Sequence, residues 1–253
     1  MWKSRLLLSL LLTATVHVHA MTVTPIDVAT QVDRAELIFV GTVIDVQSVP
    51  VKDGSYAYTY VTFDVEETLK GAANAPTLTL RFDGGATAEY VYEIPGAPQF
   101  TAGGRHVLFV ERNERNMIPL TGGPQGKLNL VAHPVTQELI AVDEAGHAIG
   151  GVREKSWSRS GLELDRSGEI RHKKPVARVV SEEGVTIELD PRDAAPETVD
   201  VAPPATNVLA ELRSLIQSRA FAPEFQRAPA VQSASPANVP ETNRERQLHR
   251  DAK

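Results

Sequence analysis

The chain has 253 residues, no cysteine and a formal net charge of −6 at pH 7. The absence of cysteine excludes disulfides, thiol catalysis, cysteine-ligated zinc and iron–sulfur clusters, so a folded core must hold by packing alone. The acidic balance argues against a protein that binds the phosphate backbone of nucleic acids, because such proteins need a cationic surface.

Residues 1–20 have the pattern of a cleaved secretory signal peptide. Lys3 and Arg5 precede an apolar stretch that is too short to cross a bilayer as a helix, and the triplet 18–20 places small residues at the −3 and −1 positions before Met21. A membrane anchor or a buried N-terminal helix is the alternative, but neither explains the cleavage-like triplet. We therefore expect an exported protein, periplasmic or extracellular, whose mature form does not span a membrane and carries 24 basic and 32 acidic residues, a charge of −8.

The mature chain is predicted to begin with a short helix and to continue mainly as β-strands. Pro25 is placed to begin a helix that ends near Asp33. From Leu37 onward the chain is rich in β-branched and aromatic residues, and the alternation predicts that Ile44 and Val46 point inward. Further strands are predicted at 56–69, 77–82, 105–112 and 127–132, followed by a hairpin at 138–152 that turns at 143–146.

The strand predicted at 56–69 shows the clearest two-residue alternation in the chain, so one of its faces is expected to be buried and the other wet. Three tyrosines open the wet face: Tyr56, Tyr58 and Tyr60. Aromatic rings in a row are a candidate stacking platform for a sugar or a protein ligand. The alternative is that the N-terminal helix or a C-terminal segment covers the rings, since tyrosine also simply favours strands.

Beyond residue 152 the strand pattern weakens. Residues 153–203 are predicted to be a polar irregular region, with one strand-like run at 184–189. Residues 204–219 are predicted to contain an amphipathic helix that runs from Asn207 to Arg219, with Asn207 as its N-cap. Residues 220–253 are too polar to offset the cost of ordering, which predicts a disordered tail. We expect the helix to dock on the sheet rather than to bind a partner, because a short helix is marginal alone.

No motif in the sequence supports the assignment of a catalytic residue, a cofactor or a metal ligand. His133 and His147, with Asp143 or Glu144, come nearest to a metal-binding set, but they lack the dense spacing of zinc sites and are interpreted as ordinary histidines. The glycine-rich run 122–127 departs from a phosphate-binding loop in its spacing, lacks a following Ser or Thr, and precedes a predicted strand rather than a helix.

Three segments resemble bacterial exported domains of the TIMP/netrin-like group. They are the strand 35–43, which reads Ala-Glu-Leu-Ile-Phe-Val-Gly-Thr-Val, the strand 60–71, which ends in Lys-Gly, and the turn and strand 100–110. The similarity covers about residues 26–132. It implies a small antiparallel Greek-key barrel of the OB type with five strands, which here would occupy residues 21–152 together with the added hairpin.

The TIMP/netrin-like group includes inhibitors that chelate the zinc of metalloproteases through a free N-terminal cysteine. This chain departs from that pattern, because its predicted mature start is Met21-Thr22-Val23-Thr24. The leading hypothesis is therefore an exported, non-enzymatic binding or regulatory module that acts by protein–protein interaction, with a metalloprotease as a partner by resemblance only. The alternatives are a glycan-binding or structural component of the cell envelope or matrix that uses the tyrosine face, and a hydrolase without a recognisable signature.

Overall fold

The computed structural model describes residues 24–51, 54, 56–89, 91–171, 179–180, 186–187, 202–221 and 231–238. The predicted signal peptide, the mature start at Met21 and about half of the predicted polar region lie outside these residues. Export and cleavage therefore stay predictions.

The described residues form a mainly β protein with two α-helices. The helices are α1 (Val28–Arg34) and α2 (Ala205–Arg219), and two 3-10 helices lie at Gly123–Gly126 and Pro236–Asn238. The main sheet contains β1 (Leu37–Pro50), β2 (Ala57–Lys70), β3 (Thr77–Asp83), β6 (Arg105–Val110), β7 (Lys127–Ala132), β8 (Leu139–Val142), β9 (His147–Arg153) and β10 (Ser156–Glu163). Two short ribbons pair β4 (Gly85–Ala86) with β5 (Val91–Tyr92) and β11 (Val179–Val180) with β12 (Thr186–Ile187).

The eight-stranded sheet is antiparallel and runs in the order β10-β9-β8-β7-β6-β1-β2-β3. Within it, β6-β1-β2-β3 follows the order of a Greek key, in which the fourth long strand returns to lie beside the first. The end strands β3 and β10 do not pair with one another among the described strands, so the sheet is open. The predicted antiparallel β architecture is confirmed, as is the β8–β9 hairpin with Gly146 at φ 95° in its turn.

The central strands β1 and β6 carry apolar side chains on both faces because both faces are covered. Ile38 and Val40 of β1 join α1 and α2 in one apolar cluster. Leu37 and Phe39 join β2, β3 and the loop after β6 in the other. The ring of Phe39 lies across Gly41, where an added Cβ would sit 2.9 Å from a ring carbon. Two cores therefore share the same two strands.

Helix α1 begins three residues later than Pro25, where the sequence places its start. Its N-cap is Asp27, whose carboxylate accepts from the amide of Thr30 at 2.7 Å, and this bond lowers the pKa of Asp27. The segment before the cap is tied to the 3-10 helix at Gly123–Gly126, because the amide of Ile26 donates to Oε1 of Gln125 at 3.1 Å. The long-range bond to Gln125 explains why the helix starts late.

The C-terminal end of α1 is completed by Lys70, the last residue of β2. Its Nζ donates to the carbonyl oxygens of Val32, Asp33 and Ala35. Burial lowers the pKa of Lys70 to about 8. Gly71 follows at φ 79°, where a Cβ would overlap the carbonyl oxygen of Glu36. The Lys-Gly pair thus fixes the chain where β2 meets the helix.

Helix α2 docks on the sheet, as expected from its sequence. Its apolar stripe, which comprises Val208, Leu209, Leu212 and Ile216, is buried in the cluster with α1. The helix begins at Ala205 with Pro204 at the N-cap position, so the prediction that Asn207 caps it is wrong. The N-cap therefore lies three residues earlier than the sequence predicts. None of the helices within the described segments is long and apolar enough to cross a membrane.

The prediction that Ile44 and Val46 point inward is wrong, since they are 52% and 39% exposed. A bulge between Val43 and Asp45 leaves Ile44 without a partner on β2, and the pairing of β1 with β6 ends at Thr42. Beyond Thr42, β6 therefore no longer covers β1.

Strand β10 extends the sheet into the region that the sequence predicts to be irregular. Its residues are mostly polar, and main-chain pairing with β9 rather than apolar alternation holds it in place. Residues 231–238 of the predicted disordered tail are also described, and part of this segment is hydrogen-bonded to β3. The remainder of the tail, 222–230 and 239–253, lies outside the described residues.

Candidate functional site

The candidate ligand face lies at the start of β2, where Tyr56 and Tyr58 are half-buried. Their ring centroids are 5.3 Å apart in an edge-to-face arrangement, and the ring of Tyr92 lies 4.6 Å from that of Tyr56. Tyr92 is 42% exposed and comes from β5, so the alternation along β2 gave no signal for it. We call these three residues the tyrosine cluster.

The third predicted platform residue, Tyr60, does not belong to the exposed face, because it is only 2% exposed. Its cross-strand neighbour is Arg81, whose guanidinium donates to the carbonyl oxygen of Glu114. The amide of Arg81 donates to Oδ1 of Asn113 at 3.0 Å. The loop after β6 therefore lies beside this part of the sheet.

One cation and one carboxylate accompany the tyrosine cluster. The guanidinium of Arg81 lies over the ring of Tyr58, with its central carbon 4.5 Å from the ring centroid. Nη2 of Arg81 is 3.9 Å from Oδ1 of Asp83, and both side chains are largely buried. Aromatic faces beside fixed polar groups are typical of small-ligand and protein-binding sites.

The electrostatics of the cluster favour binding over acid–base chemistry. Burial and a hydrogen bond to Asp83 raise the pKa of Tyr56 well above its usual range, and burial raises the pKa of Tyr60. A phenol that acts as a base or nucleophile needs a lowered pKa instead. Both hydroxyls therefore stay protonated at neutral pH, so the half-buried Tyr56 offers an aromatic face rather than a reactive oxygen.

A second candidate surface is the free edge of β1 between Asp45 and Pro50. β1 pairs with β2 as far as Pro50, but β6 accompanies it only to Thr42, and no described strand takes the place of β6 beyond that point. The exposed side chains of Ile44 and Val46 lie on the same stretch. A strand edge with exposed apolar side chains is a surface to which another chain can add a strand.

The histidines that the sequence singles out have local structural partners. His133 is buried, and its Nδ1 accepts from two backbone amides of the turn that follows it. His147 lies between Asp143, at 3.3 Å, and Glu163, at 3.4 Å, while Arg159 pairs with Asp143 at 2.9 Å. Within the described part of the chain, no group of three or more His, Asp or Glu side chains is placed to hold a metal ion.

Lys127, at the end of the glycine-rich run, is the first residue of β7 and is buried. Its Nζ is 2.9 Å from Oε1 of Glu144, lies 4.4 Å from the ring centroid of Phe100, and donates to the carbonyl oxygen of Gln99. Burial lowers the pKa of Lys127, and the carboxylate of Glu144 opposes that shift. The amine is thus occupied by an internal ion pair and is not presented to a phosphate.

His106 stands alone among the apolar residues of β6 and, from the sequence, is interpreted as an ordinary histidine; the structure buries it. Neither ring nitrogen has a partner of good hydrogen-bond geometry among the described residues, although Asn129 lies near enough to favour the charged ring slightly. Burial and the positive charge of Lys127 lower the pKa of His106 to about 3. The ring is therefore neutral at physiological pH.

No family model, curated protein or solved structure matches the chain.

Proposed function

We propose that this protein is an exported, non-enzymatic binding module that acts by protein–protein interaction through the free edge of β1. The observation that carries the proposal is the combination of two features: an edge from Asp45 to Pro50 with which no strand of the described residues pairs, and the exposed side chains of Ile44 and Val46. Six residues of extended chain span roughly 20 Å, which is the length of an ordinary strand. A partner segment would add main-chain hydrogen bonds along this edge and place apolar side chains against Ile44 and Val46.

An OB-type barrel is proposed as the architecture behind this surface. The strands β7-β6-β1-β2-β3 form a contiguous Greek-key set, as the resemblance to the TIMP/netrin-like group implies, although β3 and β7 are not paired among the described strands. The apolar cluster that includes Phe63, Leu80 and Leu120 packs on one face of this set. On the basis of this resemblance alone, we propose a metalloprotease as the partner.

The test is a capture experiment with three tagged full-length proteins from native envelope fractions and culture medium, read by mass spectrometry. The double variant Ile44→Lys/Val46→Lys places charges on the edge and blocks strand addition. Val135→Lys is the matched control, because this exposed valine lies in the turn between β7 and β8. A partner held by the wild type and the control but lost by the double variant supports the proposal, and three identical sets contradict it.

Glycan binding at the tyrosine cluster is a second candidate, favoured by the exposed ring of Tyr92 and the stacked pair of Tyr58 and Arg81. Sugars present apolar ring faces that stack on tyrosine, and their hydroxyls pair with charged side chains. The test is polysaccharide pull-down with Tyr58→Ala and Tyr92→Ala, with Tyr60→Phe as a control that keeps its buried ring. Retention by both alanine variants at the level of the wild type would remove this candidate.

A further inference from the structure

The outer edge of β3 is occupied, although β3 is the last strand in the order of the sheet. The amide of Arg81 donates to Oδ1 of Asn113 at 3.0 Å, and the amide of Asp83 donates to the carbonyl oxygen of Met117 at 2.8 Å. Nδ2 of Asn113 donates to the carbonyl oxygen of Thr79 at 3.1 Å. The loop after β6 therefore covers the later half of this edge.

The earlier half of the edge, at Thr79, is occupied by a segment from the far end of the chain. The amide of Thr79 donates to Oγ of Ser233 at 2.9 Å, and the amide of Ala234 donates to the carbonyl oxygen of Thr79 at 2.8 Å. Both main-chain groups of Thr79 are thus satisfied in the manner of an added strand, with a serine hydroxyl in place of one main-chain acceptor.

Side chains, as well as main-chain groups, hold this segment against the edge of β3. Val231 and Ala234 are each only 4% exposed, and Val231 belongs to the same apolar cluster as Leu78. The carbonyl oxygen of Gln232 accepts from Nδ2 of Asn113 at 2.8 Å. One amide group therefore ties the loop, the edge of β3 and the C-terminal segment together.

We infer that the edge of β3 around Thr79 and Asn113 is a peptide-binding groove, and that residues 231–234 occupy it as an intramolecular ligand. The groove recognises an extended segment with a branched apolar residue at its first position, serine at its third and alanine at its fourth, as in Val-Gln-Ser-Ala. The branched residue enters the apolar cluster and the serine hydroxyl accepts from the amide of Thr79. The alanine, buried beside the edge, leaves little room for a larger side chain.

The position of the segment in the chain makes it a competitor of any external peptide. Eleven residues, 220–230, connect the end of α2 to Val231. A linker of this length gives an effective concentration on the order of millimolar. A free peptide of the same sequence therefore binds the intact chain poorly and binds well only when the internal segment is undocked.

A labelled peptide with the sequence of residues 229–238 tests this inference on the full-length protein by fluorescence anisotropy. Val231→Asp in the protein should undock the segment and strengthen peptide binding at least roughly tenfold over the wild type, because the tethered competitor is lost. In the peptide, replacement of the serine equivalent to Ser233 by alanine should weaken binding about fivefold or more, whereas replacement of the serine equivalent to Ser235 should leave it unchanged. Equal binding by wild type and variant, or no binding by a folded variant, overturns the inference.

Hydrogen exchange on the wild type provides a second measurement that needs no variant to fold. The amide of Ala234 is expected to exchange about tenfold or more slowly than in the free peptide, since it donates to β3. Excess peptide should accelerate that exchange by displacing the internal segment. An amide of Ala234 that exchanges at the rate of the free peptide would refute the docking itself.

Discussion

Nζ of Lys70 lies 2.7 Å from the carbonyl oxygens of both Val32 and Ala35, so the last residue of β2 closes the C-terminal end of α1. The last carbonyl groups of a helix have no intrahelical partner and need a donor from elsewhere. A buried amine meets that need here, and it joins the end of the helix to the end of the long β1–β2 hairpin.

Replacement of this amine is expected to destabilise the protein. Lys70→Met keeps the buried stem but leaves the helix carbonyls without their donor, and the free energy of unfolding should fall by about 1–3 kcal/mol. Urea denaturation followed by circular dichroism measures the change. Lys155→Met is the control, because this lysine is exposed and its replacement should cost less than about 0.5 kcal/mol. Equal effects of the two substitutions would remove the capping role of Lys70.

The glycine after Lys70 offers a matched pair of substitutions. Gly71 and Gly103 have nearly the same positive φ, 79° and 82°, but a Cβ at Gly71 would overlap the carbonyl oxygen of Glu36, whereas one at Gly103 meets no atom within 4 Å. Gly103→Ala should therefore cost only the backbone strain, about 1 kcal/mol, and Gly71→Ala should cost at least about 1–2 kcal/mol more. Thermal unfolding of the two variants compares them directly, and identical shifts would contradict the overlap.

His106 should make the fold sensitive to acid. Its pKa is about 3 in the folded protein against 6.5 in a model peptide, so between these values the unfolded state binds a proton that the folded state does not. Stability is then lost as the pH falls from 6.5 towards 3, at up to about 1.4 kcal/mol per pH unit. His106→Gln should show a shallower loss in urea denaturation over this range. Above about pH 7 the two stability curves should run parallel, and parallel curves throughout would contradict the prediction.

The docking of α2 predicts a graded cost along its apolar stripe. Leu212 is fully buried, so Leu212→Ala should lower the free energy of unfolding by about 2–5 kcal/mol through lost burial and a residual cavity. Leu215 is only partly buried against the same cluster, and Leu215→Ala should cost less than half as much. Arg213→Ala removes a pair with Glu67 that is about 40% exposed on both sides, and should cost less than about 1 kcal/mol. Chemical denaturation of the three variants tests this ranking.

Most strands could be predicted because alternation and turn residues are local signals. The strand that carries Val61 and Phe63 shows its buried face directly in the sequence, and Gly146 marks the β8–β9 turn. Strand β10 was not predicted, because a mostly polar strand that is held by pairing with its neighbour has no apolar alternation in its sequence.

The candidate site was only half predictable, because it depends on which element covers which face. Tyr56 and Tyr58 lie where alternation along β2 places them, but the burial of Tyr60 depends on tertiary neighbours that are remote in the sequence. The approach of Tyr92 to Tyr56 joins two different strands and leaves no trace in either segment alone. The exposure of Ile44 follows from a bulge, which spacing cannot locate.

Gly41 has a consequence for how β1 finds its place between its neighbours. Residues 37–40 are apolar without interruption. A shift of the strand by one position would therefore still present an apolar side chain to each core, and polarity alone would not disfavour the shifted register. Shape must make the choice instead. An added Cβ at position 41 would sit 2.7 Å from the carbonyl oxygen of Asp64 on β2, so only the alignment that brings the residue without a side chain beside that carbonyl avoids a collision. The absence of a side chain at Gly41 thus fixes the register of β1 in the sheet.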